Sequence, residues 1–265
     1  MNDAVLYAQE GRVVTLTLNE PETRNALSDA IIDGLVEACA RVNGDTGVSC
    51  VIVTGSGRSF SSGGDIKEMG RRAELPRQSP ADMRRSYVHG IQRIPRAFHQ
   101  LEVPTIAAVN GHAFGAGLDL SLMCDIRLAA EDAQFSESFL RVGILSGDGG
   151  AWFLPRVVGL SRAYQMSFTA EPIDAATALR WNLVSDVLPA EALLGEATRL
   201  AGQIVRHPPQ AVRLYKTLLR DSLTMELPAS LEMAAGMLAQ LNHTDDQREA
   251  IRALLEKRAP AYRGT

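Results

Sequence analysis

The chain is predicted to adopt an α/β fold with a helical C-terminal region, on three observations. Short apolar runs of strand character alternate with segments of helical periodicity between residues 12 and 188, a pattern that implies parallel pairing and crossover connections. Two of these runs, Cys50 to Val53 and Thr105 to Val109, lead into glycine-rich turns about fifty residues apart. After Pro189 the pattern is helical throughout, in Ala- and Leu-rich stretches broken at Pro208-Pro209 and Pro228.

Taken in order, Arg12 to Leu18 alternates, with Val14, Leu16 and Leu18 on one face, and reads as a strand. Asn19-Glu20-Pro21-Glu22 breaks it. Ser28 is an N-cap for a helix carrying Ile31, Ile32, Leu35, Val36 and Cys39 on one side. Cys50 to Thr54 is a short strand that stops at Gly55-Ser56-Gly57. Residues 70 to 79 are polar, with prolines nearby, and read as a mobile loop. Ser79-Pro80-Ala81-Asp82 supplies an N-cap, a proline at the first helical position and an acid in the first turn. The helix that follows sets Met83, Tyr87, Ile91, Ile94, Phe98 and Leu101 at spacings of three and four, and Pro95 is expected to kink it or end its first half. Pro104 to Val109 is the next strand, followed by an apolar helix from Leu118 to Cys124. Asp125 to Ala129 and Val184 to Leu188 are the remaining strand candidates.

Composition narrows the function classes. The 265 residues are 46% apolar and 22% charged, ordinary for a globular protein, and suffice for one large α/β domain or for a core with a helical appendage. A net charge of -4 argues against a general nucleic-acid binder, while a few local Arg or Lys residues still permit a phosphorylated small ligand. Cys39, Cys50 and Cys124 show no CxxC spacing, which suits a reducing cytoplasm. No secretory leader is visible at Met-Asn-Asp-Ala, and no apolar run approaches a membrane span. Gly55-Ser56-Gly57 is not followed by the Gly-Lys-Ser/Thr of a phosphate loop. Gly115-Ala116-Gly117 lacks the third glycine of a dinucleotide fingerprint, with Leu120 in its place. There is no Gly-x-Ser-x-Gly elbow, and the five histidines have no metal-ligand spacing, so no metal or redox cofactor is expected.

The chemistry is expected in the two turns. The first reads Phe60-Ser61-Ser62-Gly63-Gly64-Asp65-Ile66-Lys67, the second Asn110-Gly111-His112-Ala113-Phe114-Gly115-Ala116-Gly117-Leu118-Asp119-Leu120. Small residues let backbone N–H groups approach a ligand, and two N–H groups aimed at one point stabilise negative charge developing on a carbonyl oxygen. Asp119 lies three residues past Ala116, about one helical turn, where a base could stand beside such a hole. For His112 the favoured reading is a hydrogen bond to backbone within the turn.

These turns resemble those of the crotonase superfamily, the enoyl-CoA hydratase/isomerase family, and the similarity runs from Asn25-Ala26-Leu27 to the tail Leu255-Glu256-Lys257-Arg258-Ala259-Pro260. The resemblance implies a spiral of repeated ββα units, with a core over residues 1–195 holding the CoA and acyl sites. It implies a helical trimerisation region over 196–265, in a homotrimer or a dimer of trimers. An acyl-CoA is the implied substrate, with CoA part of the substrate rather than a resident cofactor. The family's oxyanion donors fall on the N–H groups of Gly64 and Ala116; glycine is usual at the second position. CoA is implied along Arg24, Ala26, Ser62, Asp65, Ile66 and Lys67, with Lys216 or Lys257 reaching phosphate on a neighbouring subunit.

The carboxylates depart from the family pattern. Family hydratases manage a water with two glutamates. The first falls on Asp119 and the second on Phe139, which cannot position water or transfer a proton. Glu137 shares a face with residue 139 on an extended segment, but a solvated surface acid is the favoured reading. Asp148, in Gly147-Asp148-Gly149-Gly150, lies one place after the working aspartate of family dienoyl-CoA isomerases and 4-chlorobenzoyl-CoA dehalogenases. It is a candidate partner acid, the alternative being a turn aspartate bonded to its own backbone. Phe139, Trp152 and Phe153 are expected to wall an apolar acyl pocket. The resulting expectation is hydration or double-bond isomerisation of an acyl-CoA thioester through an oxyanion-stabilised enolate. The alternatives are a non-catalytic acyl-CoA binder and a thioester hydrolase or C–C cleaving enzyme.

Overall fold

The computed structural model describes residues 3–76 and 78–264. Its strands are β1 (Val5–Glu10), β2 (Val13–Leu18), β3 (Cys50–Gly55), β4 (Ser59–Ser61), β5 (Thr105–Val109), β6 (His112–Phe114), β7 (Ile126–Ala130), β8 (Gln134–Ser136), β9 (Ile173–Asp174) and β10 (Asp186–Leu188). The helices are α1 (Asp29–Gly44), α2 (Ile66–Ala73), α3 (Pro80–His89), α4 (Arg93–His99), α5 (Ala116–Leu122), α6 (Gly150–Val158), α7 (Leu160–Thr169), α8 (Ala175–Arg180), α9 (Ala190–Ile204), α10 (Pro209–Ser222), α11 (Leu227–Leu241) and α12 (Asp245–Leu255).

The strands form two sheets. The larger is ordered β1-β2-β3-β5-β7-β10 and is parallel except for β1 against β2. The smaller is ordered β4-β6-β8-β9 and is parallel except for β9. Three successive units, β3-β4-α2, β5-β6-α5 and β7-β8-α6, each place one strand in either sheet before a helix. This is the expected spiral of ββα units.

The central strands are buried on both faces, which is why they read as unbroken apolar runs rather than alternating ones. Val51, Val53, Ala107 and Val109 join one core with Leu16, Leu35, Phe60, Phe98 and Phe135. Cys50, Ile52, Ile106 and Ala108 face the other way, onto Leu193, Ala197 and Ala201 of α9. The division expected between residues 195 and 196 therefore falls inside a helix that belongs to the core. β1 left no sequence signal because it is an edge strand with only Val5 buried.

Two local expectations are corrected. The helix expected from Ser79 onward breaks at Gly90, whose φ of -102° and ψ of -114° leave the helical region, and not at Pro95. Pro95 is the third residue of α4, where its missing N–H has no intrahelical acceptor to lose. Residues 70–73, expected in a mobile loop, belong to α2; residue 77 of the same loop lies outside the described residues.

Beyond α9 the tail is held at few points. Arg213 of α10, 9% exposed, donates to the Glu102 carboxylate at 2.9 Å and to the carbonyls of Asp45 and Val48 at 2.8 and 3.1 Å. Asp246 of α12 accepts from the N–H groups of Arg263 and Gly264 at 2.7 and 2.8 Å. Leu227, Leu231, Leu238, Leu254 and Leu255 remain exposed. Among the described residues no helix is long and apolar enough to cross a membrane.

Candidate active site

Three parallel strands of the smaller sheet deliver the site. β4, β6 and β8 run side by side, so the segments leaving their carboxyl ends emerge at one edge: Ser62-Gly63-Gly64, Gly115-Ala116 and Glu137. The two glycine-rich turns touch. Gly63 has φ of +79°, and a Cβ there would overlap the Phe114 carbonyl and lie 3.0 Å from the Ala116 nitrogen. A Cβ on Gly117 would overlap the Ser61 carbonyl. Glycine is required at both positions by this close approach. Among the described residues, neither the Gly64 N–H nor the Ala116 N–H donates to a protein acceptor. Ala116 opens α5 and is only 6% exposed, so an unpaired donor stands at a nearly closed helix N-terminus.

Asp119 lies in the first turn of α5 and is fully buried. Its Oδ2 accepts from the Ser146 hydroxyl at 2.8 Å and from the Gly150 N–H, the first of α6, at 3.1 Å. Its Oδ1 has no donor. Asp148 is 2% exposed and accepts from Ser146 at 3.3 Å, leaving Oδ2 unpartnered. The glycine-rich loop thus turns Asp148 inward beside Asp119. Two contacts hold that loop: Gln92 Nε2 donates to the Gly147 carbonyl at 2.8 Å, and the Tyr87 ring lies over Gly147.

Glu137 corrects the sequence reading. It is 3% exposed rather than solvated, and its Oε2 is buried without a donor. Asp148 and Glu137 both lie close enough to Asp119 for their charges to act on it. Burial pushes Asp119 well above the usual carboxylate range, and the charges of Asp148 and Glu137 push it further against the opposing Ser146 bond. Burial, then the charge of Asp148, lifts Glu137 to about 8. Burial also raises Asp148, opposed by its bonds to Asp119 and Ser146. Three carboxyls this close and this dry cannot all ionise, so the cluster retains protons at neutral pH.

A cavity of about 260 Å³ opens beside the cluster. Glu137, Ser146, Tyr164 and Ser167 are its polar lining, and the rest of its wall is apolar, including Phe139, Leu145, Leu154 and Phe168. Of the residues expected to wall an acyl pocket, Phe139 lines this cavity. Trp152 does not. Gly150, Ala151, Leu154 and Pro155 are the side of α6 that faces the cavity, and residue 152 lies more than half a turn round from residue 150. Trp152 instead packs edge-on to His99, with the Arg156 guanidinium 3.9 Å over its ring.

The positions implied for CoA form one ridge. The Leu27 N–H donates to the Gly63 carbonyl at 2.8 Å, the Ser62 N–H to the Arg24 carbonyl at 2.9 Å, and the Ser62 hydroxyl to the Thr23 carbonyl at 3.2 Å. Arg24, Ile66 and Lys67 are exposed along it, and Ala26 is buried beneath. The Asp65 carboxylate caps α2, accepting from the N–H groups of Lys67 and Glu68 at 2.8 and 3.1 Å. Asn25, at φ +55°, locks the ridge to the core through Glu20, Ser56 and Ser59. Lys216 is not free for phosphate: it is 11% exposed, pairs with Asp125 at 2.7 Å and donates to the Val103 carbonyl at 2.9 Å. Lys257 is exposed. His112 lacks the expected backbone bond at Nδ1, which is buried without a partner, and its ring packs on Phe114. Sequence reasoning missed Ser146, Gln92 and Asn25. Only Asn25 carried a signal, asparagine being tolerant of positive φ.

Comparison with known proteins places this geometry. The profile of the enoyl-CoA hydratase/isomerase family matches residues 8–265. The chain is 36% identical over 260 residues to 2,3-dehydroadipyl-CoA hydratase of Escherichia coli (strain K12), covering 98% of each chain. It is 32% identical over 264 residues to 1,2-epoxyphenylacetyl-CoA isomerase of the same organism, covering 100% of each. The crystal structure of an enoyl-CoA hydratase from Bacillus anthracis superposes with a TM-score of 0.92 at 33% identity, covering 99% of this chain and 100% of that one. The chain belongs to the enoyl-CoA hydratase/isomerase family, within the crotonase superfamily.

Proposed function

We propose that this hydratase/isomerase-family enzyme holds the thioester carbonyl of an acyl-CoA between the N–H groups of Gly64 and Ala116 and works through the resulting enolate. The observation that carries the reading is the pair of unpartnered amides in touching turns, with buried Asp119 one helical turn along. Each such donor contributes roughly 3 kcal/mol to an oxyanion transition state in other enzymes. Asp119 takes or returns the proton at the α-carbon, and Asp148 exchanges protons with it as partner acid. CoA lies along the ridge from Arg24 to Lys67, and no resident cofactor takes part.

Double-bond isomerisation is favoured over hydration. The similar relatives include several named as hydratases, at 34–36% identity, and one named as an isomerase, at 32%, so the reading rests on the residues. Phe139 occupies the position of the second water-managing glutamate and lines an apolar cavity, which argues against a held water. Hydration through Asp119 and Asp148 is the second reading. A panel of 2-enoyl- and 3-enoyl-CoA thioesters tests this: isomerisation that outpaces hydration supports it, and turnover undiminished in Asp119→Asn would contradict it.

The exposed leucines of α11 and α12 favour a homotrimer or a dimer of trimers with residues 196–265 contributing the contacts. Light scattering on a size-exclusion column reads the mass directly. The three cysteines, free and buried, suit the cytoplasm.

A further inference from the structure

The cavity wall includes Glu137 but neither Asp119 nor Asp148. Asp119 stands on the first turn of the helix that Ala116 opens, and Glu137, whose charge acts on Asp119, lines the apolar cavity. An acyl chain whose carbonyl sits at the amides and whose tail fills the cavity presents its α-carbon to Asp119 and its later carbons to Glu137. Ser138 and Phe139 follow directly and begin a 3-10 turn, so the Glu137 backbone is fixed at the end of β8. Glu137 has one oxygen without any donor, at a place where burial keeps the neutral acid favoured.

We infer that Glu137 is the second proton carrier of the reaction, meeting the acyl chain beyond its α-carbon. This rests on the enolate reading above. In the form of the cluster that has Asp119 ionised and Glu137 neutral, the Asp119 carboxylate removes a proton from Cα of a 3-enoyl thioester. The C–H electron pair becomes a dienolate whose oxygen the two amides hold. The dienolate then takes the proton of neutral Glu137 at Cγ, and the double bond moves into conjugation with the carbonyl. Asp119 is left protonated and Glu137 ionised. The proton then passes from Asp119 to Glu137, between the neighbouring carboxyls or through solvent, which restores both groups without any co-reactant. The opposite direction uses the same steps in reverse. Asp148, behind Asp119 and off the cavity wall, sets how many protons the cluster holds.

The test uses the full chain with 3-hexenoyl-CoA in heavy water, comparing wild type with Glu137→Gln. Deuterium entry at Cα reports Asp119 and the oxyanion hole; formation of the conjugated thioester reports proton delivery at Cγ. The expected result is a ratio of α-exchange to product that rises about 100-fold in Glu137→Gln, the usual size of a lost proton donor. Glu137→Asp, which keeps the acid one methylene shorter, should recover part of the product rate and keeps the test usable should the glutamine variant fail to fold. Product formation in Glu137→Gln within about threefold of wild type would overturn the inference. Wild type that neither exchanges at Cα nor forms product would instead overturn the enolate reading on which it stands.

Discussion

The Asp119 carboxylate meets the Gly150 N–H at 3.1 Å across the junction of α5 and α6, and a Cβ on residue 150 would overlap its oxygens. The residue that opens α6 therefore has to be glycine for the acid to sit where it does. Gly150→Ala should displace Asp119, lower turnover by about two orders of magnitude and destabilise the fold by about 1–3 kcal/mol. Steady-state kinetics and denaturant unfolding check both effects.

The acid cluster links stability to pH. Folding raises the pKa values of Asp119, Glu137 and Asp148, so the native state keeps protons that the unfolded chain releases above pH about 4. Stability is fullest below that pH range and falls as pH climbs through the Glu137 value of about 8. Asp119→Asn removes one carboxyl and relieves its neighbours. It should flatten the decline in melting temperature between about pH 5 and 8 while lowering turnover about 10²–10⁴-fold. A melting-temperature series across pH for both proteins decides the sign.

The contact between the two turns is tested at Gly63. Its φ of +79° and the adjacent Phe114 carbonyl leave no room for a side chain. Gly63→Ala should shift the Ala116 amide, cost about 2 kcal/mol or more of stability and reduce kcat more than KM. Circular dichroism melts and initial-rate kinetics with one enoyl-CoA substrate provide the readings.

Lys216 offers a contrast. With its ammonium paired to Asp125 and the Val103 carbonyl, it serves the core and not a phosphate. Lys216→Met should cost about 2 kcal/mol of stability, through the charge and carbonyl left behind, with KM for the CoA thioester unchanged. Urea unfolding and KM measurement separate the two roles.

The larger sheet was legible in the sequence because its inner strands must be apolar on both faces, and both glycine-rich turns were legible because close backbone contact admits no other residue. β4, β6, β8 and β9, two or three residues each, are too short to show a period, so the smaller sheet that gathers the site was hidden. Glu137 was misread for that reason. The alternation placing it on the same face as Phe139 was visible, but whether that face met water or a cavity depended on a sheet with no sequence signal. Trp152 lies off this cavity because which side of α6 faces it is set by packing against α5 and α7, not by adjacency to Asp148. Ser146 left no mark, since a serine in a loop bonds backbone far more often than it joins two carboxyls.

The central claim is that two amides from touching turns converge on one thioester oxygen. A crystal structure of Asp119→Asn with an enoyl-CoA bound measures this directly. The thioester oxygen is expected about 2.7–3.1 Å from both the Gly64 and Ala116 nitrogens, with the α-carbon beside residue 119. A carbonyl held by other groups, or one amide turned away from it, would contradict the account.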